Sequence, residues 1–183
     1  MIGRRVGDAR RALCNADAVC LDVDSTVITS ESIDDLADFL GCGDQVAMIT
    51  ARAMGGAMPY HQALETRLKI MRPSQREVAQ MLEERPAALT AGAVAFVDAL
   101  HERGQHVYLV SGGFRQLIAP VAAQLGVPEE RVQANQLTFN ADGSFGGHAH
   151  SEPTAWQGGK AVGAGHPARL RVQDGGDDRR RRD

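Results

Sequence analysis

The chain has 183 residues, 43% of them hydrophobic and only 4% aromatic, with a formal net charge of −3. That is the length of one domain with enough apolar content for a core, one built from aliphatic side chains rather than rings. The charge gives no field to recruit nucleic acid or an anionic membrane, and there is no run of about 18 apolar residues to cross a bilayer. The first residues lack the apolar stretch of a secretory signal, and Cys14, Cys20 and Cys42 lack CxxC spacing. The expectation is a cytoplasmic protein with reduced thiols.

In chain order, residues 1–15 read as a basic, amphipathic lead-in. Ala18-Val19-Cys20-Leu21 then reads as a buried parallel strand that ends abruptly in Asp22-Val23-Asp24-Ser25-Thr26. Ser30 or Ser32 is expected to cap a helix whose apolar stripe is Ile33, Leu36, Ala37 and Leu40, closed by Gly41. Further helices fit at about 44–53, 59–71 and 74–84, with Pro59 and Pro73 near two of the starts. This all-helical block, 31–88, lies between two strand-like runs and reads as an inserted cap. Residues 91–103 carry another helical stripe, closed by Gly104. His106–Val110 reads as a second strand ending at Ser111-Gly112-Gly113, with a helix over 114–125 after it. Strand, helical excursion, strand and helix describe a βαβ unit and an α/β fold. Residues 133–139 and 144–150, around Asp142-Gly143, suggest a β-hairpin. From Ala161 the chain turns Gly-, Arg- and Asp-rich, and 161–183 reads as a disordered tail. The expected division is an α/β core of 1–30 and 89–160, a helical cap of 31–88, and the tail.

Two places carry chemistry. Asp22 and Asp24 stand two apart at a strand end, so an extended chain turns both carboxylates the same way. Side by side they call for a cation between them or a proton on one. Either arrangement suits phosphoryl chemistry, with one carboxylate attacking phosphorus and the other moving a proton. An ordinary Asp-rich loop is the plain alternative. Ser111-Gly112-Gly113 opens a helix whose unpaired N–H groups could cradle an anion, although it could equally be a simple strand-to-helix turn. Both places lie at carboxyl ends of strands in a parallel sheet, which is where such sheets bind ligands. Lys160, after Gly158-Gly159, could add a mobile cation.

DVDSTV (22–27), AMGGAMP (53–59), Leu64-Glu65-Thr66-Arg67, VSGGFR (110–115) and GGK (158–160) together resemble the phosphoserine phosphatase family of the haloacid-dehalogenase-like superfamily. The resemblance runs from about residue 10 to 160. It implies a Rossmann-like parallel sheet of the haloacid-dehalogenase type with an inserted helical cap, a Mg²⁺ cofactor, and L-phosphoserine as the small-molecule substrate. By the same resemblance Asp22 would be the nucleophile and Asp24 the general acid and base. Mg²⁺ would be held by the Asp22 carboxylate and the Asp24 main-chain carbonyl. Ser111 and Lys160 would hold the phosphoryl group, and Glu31, Met54, Gly55, Arg67, Gly112 and Gly113 match substrate-binding positions. Glu31 suits an ammonium and Arg67 a carboxylate.

One family feature is not found after Lys160: the hydrophobic strand and acidic run that supply a third metal ligand. Asp174, Asp177 and Asp178 follow no strand-like run. The expectation is a core lacking its C-terminal strands, with the 18–22 strand left as an apolar edge that invites pairing with a second chain as a homodimer. Two alternatives follow. One is another phosphomonoesterase or phosphotransferase of the superfamily. The other is an impaired form that binds ligand or pairs with a full-length subunit.

Overall fold

The computed structural model describes residues 2–149. Lys160 and the 161–183 tail lie outside the described residues, as does the last residue of the expected hairpin.

Helix α1 (Ile2–Cys14) leads into strand β1 (Ala18–Asp22). Four helices follow: α2 (Ser32–Phe39), α3 (Gly43–Met54), α4 (Tyr60–Met71) and α5 (Gln75–Glu84). The chain then forms α6 (Ala93–Glu102), β2 (His106–Phe114), α7 (Arg115–Gln124) and β3 (Val132–Asn135). A two-stranded antiparallel hairpin, β4 (Leu137–Phe139) and β5 (Phe145–His148), comes last. Strands β1, β2 and β3 form one parallel sheet in that order, with Asp22 opposite Val110 at the carboxyl end.

The helix limits follow local chemistry. Helix α2 ends in a Schellman motif: Gly41 at φ 74° lets its own N–H reach Asp38 O and the Cys42 N–H reach Ala37 O. Helix α5 begins with a capping box, in which Ser74 and Glu77 satisfy each other's backbone N–H groups.

The structure corrects the sequence reading in four places. Neither Ser30 nor Ser32 caps α2; Glu31 holds that position without a side-chain bond, and Ser32 is the first residue of the helix itself. The Ser30 hydroxyl donates to Asp35 instead. Strand β2 does not stop at Ser111 but continues to Phe114, across an irregularity in which four steps along β2 oppose two along β3. The first arm of the expected hairpin is split: 132–135 joins the main sheet as β3, and only 137–139 pairs with β5. Finally, no residue of β1 is buried, whereas seven of the nine in β2 are. Among the described residues β1 has a partner on one side only, while β2 lies between two strands.

Two apolar clusters result. One joins the sheet to α6 and α7 through Val97, Val107, Leu109, Ile118 and Val132. The other holds the α2–α5 block together through Leu36, Val46, Leu64 and Leu68, and reaches Phe114, Leu117 and Leu137. Phe114, fully buried, thus ties the helical block to the end of β2.

Candidate active site

Asp22 is the last residue of β1, and Val23, with no exposed surface, anchors the next step in the core. Residues 23–27 then make one wide turn, closed by the Ile28 N–H donating to Val23 O at 3.0 Å. Ser25 sits in the left-handed region at φ 52°, a conformation rare for a side-chain-bearing residue and common at functional sites. The turn holds it there: its N–H donates to Ser30 O at 3.0 Å, and its hydroxyl donates to Glu31 Oε1 at 2.7 Å.

The turn presents Asp24 to β2. Asp24 Oδ1 accepts from the Ser32 N–H at 2.9 Å, and Oδ2 accepts from the Ser111 hydroxyl at 2.5 Å. Ser111 is fully buried, and its Oγ in turn accepts from the Gly113 N–H at 2.8 Å. The Gly112 carbonyl accepts from Tyr60 Oη at 2.9 Å and from Asn135 Nδ2 at 2.7 Å. The irregular stretch of β2 is therefore held from both sides, by a helix of the inserted block and by β3. Gly113 is closely packed: a Cβ there would come within 2.4 Å of Ser32 Oγ and 3.0 Å of Ser111 Oγ, so the Ser32 hydroxyl would have to turn.

A cleft of about 410 Å³ opens between this strand end and the helices. Asp22, Asp24, Gly112 and Gly113 line it from the sheet side, and Glu31, Asp34, Thr50, Met54, Tyr60 and Arg67 from the helical side. Arg67 is 8% exposed, and its Nε has no hydrogen-bond partner among the described residues. Asp34 Oδ1 and Thr50 Oγ1 are likewise buried without one. Burial pushes the Asp34 carboxyl above its ordinary range, and the positive charge of Arg67 pulls the other way.

Seven of the ten residues named from sequence therefore meet in one cleft. Ser111 stands just behind its wall, bonded to Asp24. Gly55 caps α3 next to Met54 without lining the cleft. Lys160 lies outside the described residues. Sequence reading missed Asp34, Thr50, Tyr60 and Asn135. A first-turn acid, and polar residues on amphipathic helices, carry no signal of their own; only the tertiary fold turns them inward.

Residues 19–174 match the model of the haloacid dehalogenase-like hydrolases. The chain belongs to the haloacid dehalogenase-like hydrolase family. Its relatives narrow the comparison. The phosphoserine phosphatase of Bos taurus is 46% identical over 153 residues, which is 84% of this chain and 68% of that one. A phosphoserine phosphohydrolase-like protein from Francisella tularensis superposes with a TM-score of 0.70 at 28% identity, covering 81% of this chain and 73% of that one. A phosphoserine phosphatase solved as an analogue of its phospho-aspartyl intermediate superposes at 0.61 and 29% identity, covering 71% and 60%.

The donor set suits the hydrolase family's magnesium ion. Asp22 lines the cleft as a hard oxygen donor. Asp24 also lines the cleft, its two carboxylate oxygens each accepting one hydrogen bond, from Ser32 and Ser111. No group of three acidic, His or Cys side chains converges among the described residues. Magnesium tolerates that, because it keeps several waters and takes one or two carboxylates together with substrate oxygens. No helix among the described residues is long and apolar enough to cross a membrane.

Proposed function

We propose that the chain hydrolyses L-phosphoserine to L-serine and phosphate through an aspartyl-phosphate on Asp22, as part of serine biosynthesis in the cytoplasm. The observation that carries this is the pairing, in one cleft, of Asp22 and Asp24 with a buried guanidinium, Arg67, that has no carboxylate partner among the described residues. A guanidinium fork suits the carboxylate of an amino-acid substrate.

An Asp22 oxygen attacks phosphorus, a P–O bond forms, and the bond to the serine oxygen breaks. The departing oxygen takes a proton from Asp24. Water then attacks phosphorus, giving its proton to Asp24; phosphate leaves and the Asp22 carboxylate is restored. Bound magnesium supplies positive charge beside the phosphoryl oxygens. In the unliganded site Asp24 is held by the Ser32 N–H and the Ser111 hydroxyl. When the Ser111 hydroxyl turns to donate to a phosphoryl oxygen, Asp24 Oδ2 is released and takes up a proton from solvent as substrate binds, and this is the proton that the departing oxygen receives. Lys160 is the further cation that the family resemblance assigns to the phosphoryl group. At the other end of the substrate, Arg67 takes the carboxylate as a fork, and Glu31 draws the ammonium at the cleft mouth.

Phosphate release from L-phosphoserine by the full chain, with and without Mg²⁺, tests this. Release is expected only with the metal, and Asp22→Asn should abolish it. Absence of release from a folded sample overturns the enzymatic reading and favours a form that binds ligand or pairs with a complete subunit.

A further inference from the structure

Ser32, the first residue of α2, offers Asp24 two donors, and the unliganded site uses only one. Its N–H donates to Asp24 Oδ1 at 2.9 Å. Its hydroxyl, on a residue only 5% exposed, has no hydrogen-bond partner among the described residues. A buried hydroxyl without a partner costs stability, because its water is gone and nothing replaces it. The backbone bond to Asp24 needs no side chain, so a smaller residue would keep that bond and avoid the cost. The fold alone gives the hydroxyl no task.

Its surroundings supply one. Ser32 does not line the cleft, so its hydroxyl acts on the protein rather than on the substrate. Its Oγ lies over the bare face of Gly113, 2.4 Å from where a Cβ would stand. Ser111 Oγ is 3.0 Å and Asp24 Oδ2 3.5 Å from the same point. Two hydroxyls and a carboxylate oxygen thus surround one small space that the glycine leaves open. In the unliganded site the Ser111 hydroxyl takes Oδ2 at 2.5 Å, and Ser111 Oγ is itself held by the Gly113 N–H at 2.8 Å. That chain of bonds is complete without the Ser32 hydroxyl.

Resting on the phosphatase reading above, we propose that Ser32 is a positioning residue whose hydroxyl takes hold of Asp24 when Ser111 turns to the phosphoryl group. Rotation about the Ser32 Cα–Cβ bond brings the hydroxyl beside its own N–H, and both then donate to Oδ1. Two donors on Oδ1 leave Oδ2, the oxygen that Ser111 has released, to carry the proton. They also keep the carboxyl group from swinging once its tether to Ser111 is gone, and proton transfer depends on that alignment. A bond absent at rest and made during the reaction lowers the barrier rather than deepening the ground state.

The test uses two esters that differ in their need for a proton: the serine oxygen leaves only with one, whereas p-nitrophenolate leaves without. Mg²⁺-dependent phosphate release by the full chain gives kcat/KM for L-phosphoserine and for p-nitrophenyl phosphate. Ser32→Ala and Ser32→Gly both keep the N–H bond and lack the hydroxyl. Each should lower kcat/KM for L-phosphoserine by about tenfold, part of the worth of a general acid, and lower it much less for p-nitrophenyl phosphate. In an Asp22→Asn background, which blocks turnover, adding Ser32→Ala should leave the calorimetric affinity for L-phosphoserine where it was, because Ser32 does not meet the substrate. The unliganded Ser32→Ala chain should melt no lower than the parent, since a buried hydroxyl without a partner is gone. Equal loss on both esters, weakened affinity, or a clear fall in the unliganded melting temperature gives the hydroxyl a structural or binding role and overturns the assignment, as does no loss at all. If the native chain releases phosphate from neither ester, the phosphatase reading fails and this inference with it.

Discussion

Gly113 leaves little room for a side chain, and one of the atoms a Cβ would press on, Ser111 Oγ, is the donor to Asp24. A Cβ would meet Ser32 Oγ at 2.4 Å, Ser111 Oγ at 3.0 Å and Asp24 Oδ2 at 3.5 Å. Gly113→Ala turns the unpartnered Ser32 hydroxyl aside and presses on Ser111 Oγ, the donor to Asp24, and misplacement of a catalytic group on the order of 1 Å costs about 100-fold in rate. Steady-state phosphate release should show that loss in kcat, with the far-ultraviolet spectrum unchanged. Asp34 gives a prediction of opposite sign. Burial, the largest influence on it, raises its pKa in the folded chain. The native state therefore disfavours the charged carboxylate, and that penalty is present at neutral pH and relieved as pH falls into the window just above the ordinary value of 3.8. Asp34→Asn removes the penalty without changing size, so the unliganded variant should melt no lower than the parent at pH 7 and lose its advantage in acid. Thermal scans at several pH values check this. Neither effect is legible in the sequence: Asp34 there is one acid among several in a first helical turn, and Gly113 one of two glycines in a turn.

At the scale of elements, two devices hold the helical block in place. Tyr60, at the start of α4, donates its hydroxyl across to the Gly112 carbonyl on β2. Tyr60→Phe deletes that bond while Asn135 still satisfies the carbonyl, so the expected loss is about 1 kcal/mol, the net worth of one hydrogen bond. Urea melts should show it, and KM should rise as α4 loosens over the cleft. The second device is the capping box of α5. Hydrogen bonds from the Ser74 hydroxyl and N–H lower the Glu77 pKa below its ordinary value of 4.5. A depressed carboxylate contributes stability above its unfolded pKa and loses it as pH falls through the folded one. Ser74→Ala should thus cost about 1 kcal/mol at neutral pH. The gap between variant and parent should narrow below pH of about 4.5, because the Glu77 carboxylate is then protonated in both. The elements themselves were largely legible. Apolar spacing and flanking Gly and Pro located α2 through α7 within a few residues. What misled was chemistry that depends on distant partners. Ser32 looks like a cap, but its N–H is directed to Asp24, eight residues back. Residues 133–135 look like part of a hairpin arm beside Asp142-Gly143, but their partner is β2.

Over the whole molecule, the cleft lies where sheet and helical block meet, and its chemistry depends on β1 staying in register. Register is well specified at β2, which is buried on nearly every residue, and weakly at β1, which packs against a single strand among the described residues. The motif order let the sequence place Asp22 at the carboxyl end of β1, because a strand, an inserted block and a second strand leave little topological choice. It also raised the expectation of an apolar edge, and the half-exposed Val19 and Leu21 agree with that expectation as far as the described residues extend. An end strand of this kind offers unpaired backbone groups to a second copy of the chain. The full 183-residue chain is therefore expected to melt at modest temperature, with a midpoint that rises with protein concentration as edges pair. Cys20 is exposed on β1, and a charge there opposes edge pairing. Cys20→Lys should flatten the concentration dependence without touching the cleft. Scanning calorimetry over a range of concentrations, alongside sedimentation, decides it. A cooperative, concentration-independent transition well above body temperature in a monomeric sample would show that the outer side of β1 is already covered, and the expected self-association would be wrong.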